Sequence, residues 1–388
     1  MKQRLPIDRS KTIETLETLV RINSINPALV PGAPGEREIA AYLTDQLDAL
    51  GLEVSVDEIT PGRFNVVGRL PGRGNGPALM LNAHTDTVGI EGMDDPFAAT
   101  IRDGKLYGRG AQDMKGSLAA MLAAVRAVAE AGIALDGDLL LAAVADEEHA
   151  SIGTEHLLRE FRADGAIVTE PTDLAICRAH RGFIWYRVET EGRAAHGSRF
   201  EEGIDANIHM GRFLAQLDLL AQELVNRPPH PLMGPPSLNA SLLEGGTELS
   251  IYPAHCTLQM ERRTIAGETV EACTAELQAI IDRLAEADPA FQATVEPFFE
   301  RRPFTVPAGA RIVQLVEDAT TAHLGRAPAH IGQTFWTDAA LLDGAGIETV
   351  VLGPTGAGLH SAEEWVDLDS VIDLAHILAQ TIVTYCTV

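Results

Sequence analysis

The amino-acid sequence predicts an α/β protein: a mostly parallel, mixed sheet flanked by helices, interrupted by an inserted α+β segment. Two observations carry this. Short aliphatic runs alternate with stretches of helical periodicity up to about residue 179 and again towards the end, whereas residues 180–296 follow a strand–helix–strand–helix pattern of their own. The 388 residues also exceed what one core usually holds, at ~150 residues per domain. The expected domains are therefore residues 1–179 with 297–388, and residues 180–296.

Taken in order, Ile13, Leu16, Leu19 and Val20, then Ile39, Leu43, Leu47 and Leu50, recur at helical spacing around a Pro/Gly-rich break from Asn26 to Gly35. Two helices are expected there. Aliphatic runs at 78–83, 138–145, 165–169 and 348–352 predict strands, with a helix over 117–131 between the first two. In the insert, 184–190 alternates as a strand, 203–225 is helical, 247–259 is read as strand, and 269–287 is helical until Asp288-Pro289 breaks it. The chain is expected to return to the first domain near Pro297, with a helix over 312–323.

The composition, 46% hydrophobic and 22% charged, is that of a globular chain able to bury a core. With 30 Lys and Arg against 55 Asp and Glu, the formal charge of -25 repels phosphate backbones and anionic lipid. Nucleic acid and membrane are not expected as partners. Cys177, Cys256, Cys273 and Cys386 show no C-x-x-C spacing, which suits a reducing compartment, and no stretch approaches the ~18 apolar residues of a membrane span. A cytoplasmic location is the expectation.

The chemistry concentrates at strand ends. His84 follows an aliphatic run in Asn-Ala-His-Thr-Asp, where Asp86 is two residues on and suited to orient the imidazole. Asp113 lies in the glycine-containing run 108–116 just before a helix. Asp146-Glu147-Glu148 ends one strand, and three acids so placed repel one another unless cations offset them. Glu170 closes another strand, and His360 follows the glycine-rich loop 353–359. Singly, each is more often a surface pair or a cap. Together, five such acids and imidazoles are what a metal site needs, in the crevice beyond the carboxyl ends of the strands. No G-x-S-x-G elbow appears, and 72–76 lacks the Lys-Ser/Thr ending of a P-loop.

The order H-T-D, G-R-G-x-x-D-M-K-G, D-E-E, E-P-T and H-S-A-E-E resembles the acetylornithine deacetylase, succinyl-diaminopimelate desuccinylase and carboxypeptidase G family of dinuclear zinc amidohydrolases. The resemblance implies that Asp113 bridges two divalent cations, His84 and Glu170 completing one site, Glu148 and His360 the other. Zn²⁺ suits this mixed imidazole–carboxylate set, with Co²⁺ or Mn²⁺ as alternatives. It further implies that Glu147 is the general base, that Asp86 supports catalysis, and that the peptide after Asp113 is cis. The insert becomes a dimerisation and lid domain, from which His196 reaches across a homodimer interface to the reacting carbonyl. Arg263 matches the family arginine that takes a substrate carboxylate, although Glu261 and Ala266 depart from its pattern. Ser250 stands where many members have an asparagine; Asn239 and Gly356 are further candidate substrate contacts. The implied activity is hydrolysis of a small N-acyl amino acid, acetylornithine-like or succinyl-diaminopimelate-like. Aminoacylase, carboxypeptidase or dipeptidase action, or a non-catalytic acyl-amino-acid-binding homologue, are the alternatives.

Overall fold

The computed structural model describes residues 5–387. It divides into two compact units, one containing residues up to 178 with 306–331 and 337–387, the other residues 179–305 with 332–336.

The first unit opens with α1 (Arg9–Arg21), whose Asp8 cap accepts from the Lys11 amide, and α2 (Arg37–Ala49). A hairpin follows, β1 (Glu53–Thr60) and β2 (Arg63–Leu70), and then the buried strand β3 (Leu79–His84). Two short strands, β4 (Thr100–Arg102) and β5 (Lys105–Tyr107), precede a π-helical turn at Ala111–Lys115 and the alanine-rich α3 (Gly116–Glu130). Next come β6 (Leu139–Val144), α4 (Ile152–Glu160), β7 (Gly165–Val168) and β8 (Ile176–His180), along which the chain leaves this unit.

The second unit holds β9 (Gly182–Glu191), α5 (Ala206–Asn226), β10 (Ser237–Gly245), β11 (His255–Thr264), α6 (Val270–Ala287), β12 (Gln292–Arg301) and β13 (Phe304–Thr305). The chain re-enters the first unit through α7 (Arg311–Leu324), and β14 (His330–Gln333) spans the next boundary. Then α8 (Ala339–Gly344), β15 (Glu348–Val351), β16 (Gly356–Ala357), β17 (Trp365–Asp367) and α9 (Leu368–Tyr385) complete the first unit.

In the first unit the sheet runs β1-β2-β6-β3-β7-β15-β8. Its centre is parallel, β6 to β3 to β7 to β15, and its margins are antiparallel. Every residue of β3, β6 and β7 is buried, as expected of strands covered on both faces. That parallel centre sends the ends of β3, β6 and β7 to one side, and it is what gathers the site. The small sheet β16-β17-β5-β4 carries the loops on which Asp113 and His360 sit.

The second unit has the antiparallel order β10-β11-β9-β12. Ile184, Tyr186 and Val188 of β9 and Cys256, Leu258 and Met260 of β11 form its core with Met210, Phe213 and Leu217 of α5 and Leu277 and Ile281 of α6. The strand expected over 247–259 is strand only from His255, where β11 begins; residues 247–254 form the connection from β10, which ends at Gly245, with Gly246 at φ 82. β10 is an edge strand exposed along most of its length, so it needs no apolar alternation. The return expected near Pro297 falls inside β12, which continues to Arg301 in this sheet. A proline is tolerated there because β12 is the other edge strand and is bulged at that point. The hairpin β1–β2 was also absent from the sequence expectation, since the half-exposed β1 mixes charged and apolar residues on an edge.

All four cysteines are buried and lie outside any disulfide among the described residues. Among the described residues, no helix is long and apolar enough to cross a membrane.

Candidate metal centre

His84 is the last residue of β3, Glu148 lies in the loop after β6, and Glu170 stands two residues beyond β7. Asp113 projects from the π-helical turn before α3, where the Asp113–Met114 peptide is cis. His360, at φ 56, lies between β16 and β17. Two groups of three result, His84–Asp113–Glu170 and Asp113–Glu148–His360, each with its ligand atoms within 4.8 Å of one another. Asp113 belongs to both. Its Oδ1 is 2.9 Å from His84 Nε2 and its Oδ2 is 3.4 Å from His360 Nε2. The other contacts are 3.7 Å from His84 Nε2 to Glu170 Oε1 and 3.0 Å from His360 Nε2 to Glu148 Oε2. Tetrahedral bonds of ~2.0–2.2 Å set neighbouring ligand atoms about 3.3–3.6 Å apart, so only small rotations would bring either group onto an ion.

The electrostatics point the same way. Burial and the neighbouring Asp113 charge push Glu148 up to about 7, and burial with the Asp113 charge also raises Glu170 well above the carboxylate range. Burial and the Glu170 charge raise Glu147 likewise. Hydrogen bonds to Asp113 and Glu148 push His360 up to about 10, and His84 rises against its burial through Asp113. Carboxylates that repel each other this strongly, beside two imidazoles, form a donor set that a divalent cation neutralises. Glu148 Oε1, buried without a hydrogen-bond partner among the described residues, is consistent with that use. The residues present therefore fit a pair of divalent ions.

Asp86 and a shell of polar residues beyond those expected fix these groups. Glu364 accepts from the amides of Gly110, Gln112 and Asp113 at 2.9–3.1 Å and from Arg109 Nη1 at 2.6 Å. It thereby anchors the turn that presents Asp113. The Asp86 carboxylate accepts from the Glu147 and Glu148 amides (3.2 and 3.3 Å), whereas His84 Nδ1 faces the Asp86 carbonyl at 2.9 Å. Its Oδ1 also stands 3.6 Å from His84 Nδ1, so Asp86 touches the imidazole and the backbone of the acidic tripeptide together. Asn26 Nδ2 donates to both Asp86 and Asp146, Arg63 donates to Asp146, and Arg63 makes three hydrogen bonds to Glu36. This chain is buried from end to end.

Burial pushes the Glu36 carboxyl up to about 7 even with Arg63 pulling it down. Arg63→Met removes that pull and strands two buried acids, and is expected to destabilise the fold by ~3–5 kcal/mol. A carboxyl raised in the folded state binds its proton more tightly there than in the unfolded chain. With Arg63 gone the folded-state value climbs beyond about 7, so wild type and variant lose stability alike up to about pH 7 and the deficit should widen as pH rises above it. Urea melts of wild type and variant at pH 5 and pH 8.5 check this; equal deficits at both would disprove the assigned role of Glu36.

Residues 80–384 match the model of Peptidase family M20/M25/M40. The chain belongs to that family. Among its relatives, an acetylornithine deacetylase of Myxococcus xanthus is 30% identical over 356 residues, covering 89% of this chain and 91% of that protein. An N-formyl-4-amino-5-aminomethyl-2-methylpyrimidine deformylase of Bacillus subtilis is 27% identical over 425 residues, covering 100% and 97%. The aminopeptidase PepT structure from Bacillus cereus superposes with a TM-score of 0.79 at 22% identity, over 97% of this chain and 98% of that one, and confirms the mixed α/β fold. The protein is thus an M20 enzyme of the metallopeptidase and amidohydrolase kind.

Of the remaining candidates of this M20 enzyme, Gly356 lies in the first unit, on β16. His196, Asn239, Ser250 and Arg263 belong to the second unit. His196 is exposed, with Nδ1 2.8 Å from Ser198 Oγ, and forms an isolated bridge with Ile251. Ser250 lends its carbonyl to the Gly197 amide, and Asn239 donates to Ser241 on β10. Arg263 Nε donates to Glu261 at 2.7 Å. Gly356 pairs with Val366, and a Cβ there would lie 2.5 Å from the Trp365 carbonyl oxygen. That close packing is a sufficient reason for a glycine.

Proposed function

We propose that this M20 enzyme hydrolyses the amide of a small N-acyl amino acid, acetylornithine-like or succinyl-diaminopimelate-like, with Glu147 as general base. The observation that supports it most is the sharing of Asp113 between two three-residue groups, with Glu147 next to Glu148 and within the electrostatic reach of Glu170. On this reading His84, Asp113 and Glu170 hold one divalent cation, and Asp113, Glu148 and His360 hold the second. Bound there, two such ions, Zn²⁺ before Co²⁺ or Mn²⁺, would polarise the amide carbonyl and lower the pKa of a water towards ~7.

The protein's own residues supply the remainder. Glu147 removes a proton from the attacking water and returns it to the departing amine nitrogen, so the carboxylate is regenerated each turnover. Asp86, through the Glu147 and Glu148 amides, keeps that carboxylate aimed. His196 of the partner subunit, in a homodimer formed through the insert, donates to the developing oxyanion. Arg263 takes the free carboxylate, and Ser250, Asn239 and Gly356 complete the substrate contacts. A cytoplasmic location accompanies this reading, the acidic surface and free thiols being its support.

The test is amine release from a panel including N-acetylornithine and N-succinyl-diaminopimelate, before and after exhaustive chelation and after return of Zn²⁺ or Co²⁺. Activity should fall at least ~100-fold on chelation and recover with metal. Turnover that survives complete removal of metal would overturn the mechanism; a silent panel with metal bound would favour a binding protein.

A further inference from the structure

A further group of potential ligands shares no residue with the metal pair. Asp57 of β1 and His156 and Glu160 of α4 bring one ligand atom each to within 4.8 Å of one another. All three residues belong to the first unit.

Local geometry explains the convergence. His156 and Glu160 are four residues apart on a helix, so they stand one turn apart on the same face. Asp57 pairs with Asn65 in the β1–β2 hairpin, and directly paired residues share a face of the sheet. Asn65 identifies that face: its Nδ2 donates to the Gly153 carbonyl at the start of α4, and its Oδ1 accepts from the Ala145 amide. Asp57 therefore lies on the side of β1 where α4 packs. Its neighbour Glu58, on the other face, reaches Arg37 of α2 instead. Ser55, two residues before Asp57 and on its side, donates its hydroxyl to Asp57 Oδ2 at 3.2 Å and orients the carboxylate.

The charges and the spacing both suit an ion. Glu17, Glu53 and Glu58, at the surface of the same unit, each pair with an arginine at 2.8–3.0 Å. Asp57 and Glu160 have no lysine or arginine partner among the described residues and converge on an imidazole instead. A protonated imidazole brings one positive charge against two carboxylates, whereas a divalent cation balances both and uses the neutral ring as a donor. His156 Nε2 stands 4.0 Å from Glu160 Oε1, outside hydrogen-bond range. Tetrahedral bonds of ~2.0–2.2 Å put neighbouring ligand atoms about 3.3–3.6 Å apart, so the two side chains are spaced more as ligands of one ion than as a closed ion pair. Glu160 also ends α4, where the helix dipole favours positive charge.

We propose that Asp57, His156 and Glu160 form a third divalent-cation site, for Zn²⁺, with water in the fourth position. The side chains of His156 and Glu160 are 26% and 53% exposed, which leaves that position open to solvent. The imidazole decides the metal: Mg²⁺ and Ca²⁺ take oxygen ligands, whereas one ring nitrogen with two carboxylates suits Zn²⁺. The ion fastens the C-terminal half of α4 to the edge strand β1, and α4 is the helix into which the Glu147–Glu148 loop leads. Its role is structural and rests on no reading of the reaction.

The experiment uses the whole enzyme, dialysed so that only tightly held ions remain, and titrated with Zn²⁺ by calorimetry. Wild type should take up one further equivalent per chain, and its Tm should rise as it does so. Asp57→Asn and His156→Gln should each weaken that binding about tenfold or more, the least that losing a direct ligand should cost. Metal analysis should find their dialysis-resistant content unchanged, and Mg²⁺ should produce neither the heat nor the Tm rise. No further equivalent in wild type, or one that persists in both variants, would overturn the site. Mg²⁺ binding as tightly as Zn²⁺ would also overturn it, by showing an acidic patch in which the imidazole takes no part. The paired centre fails separately: a chain with no dialysis-resistant metal and no amine release, which still takes up an equivalent that His156→Gln abolishes, refutes the proposed hydrolysis and leaves this site standing.

Discussion

Asp113→Asn is expected to disable both ligand groups in one substitution. Asp113 is the only member common to the two groups, one oxygen facing His84 and the other His360. Asparagine preserves the shape and leaves the Glu364 hydrogen bonds to the backbone in place, so the turn should survive. It replaces one oxygen by an N–H₂ that cannot accept and removes the charge on which both ions depend. Metal analysis after dialysis should find both ions depleted, with kcat/KM lower by ~10³ or more, equivalent to several kcal/mol of lost electrostatic stabilisation. Glu170→Gln provides the contrast, because Glu170 enters only the His84 group. Full metal content and wild-type rates in Asp113→Asn would contradict the arrangement at its centre.

Glu147→Gln is expected to leave the ions and remove the reaction. Glu147 belongs to neither ligand group, so metal content should match the wild type. Its amide is held by Asp86 in either case, and glutamine fills the same volume. On the proposed mechanism the variant loses the proton acceptor, worth ~10²–10⁴ in kcat for a general base. KM should change little, since the amide side chain leaves substrate contacts intact. A variant whose kcat falls less than about threefold would remove Glu147 from the mechanism. One that loses metal as well would place it among the ligands instead.

How much of this was legible beforehand differs from feature to feature. The central strands could be read because each is buried on both faces and must be apolar throughout. The edge strands β1, β10 and β12 could not, since strands with exposed positions carry charge, glycine and proline freely. The five ligand candidates were visible because metal chemistry restricts them to imidazole and carboxylate, and a parallel sheet restricts them to strand ends and loops. Glu364, Arg63, Glu36 and Asn26 were not, because their partners are remote in the chain. Asn26 binds residues 60 and 120 positions away, and Glu364 holds an amide 251 positions away. Such pairs leave no local pattern.

The sequence by itself determined the class of fold, the family and the side chains able to carry a dinuclear centre, since each of these is written in residue type, period or motif. Only the tertiary structure decided that the two oxygens of Asp113 face different imidazoles, that the Asp86 carboxylate grips the acidic tripeptide by its backbone, and that Asp57 meets His156 and Glu160. The reason is one of range. Propensity and periodicity act over a few neighbouring residues, whereas a hydrogen bond or ring contact acts over a few ångströms, whatever length of chain lies between its partners.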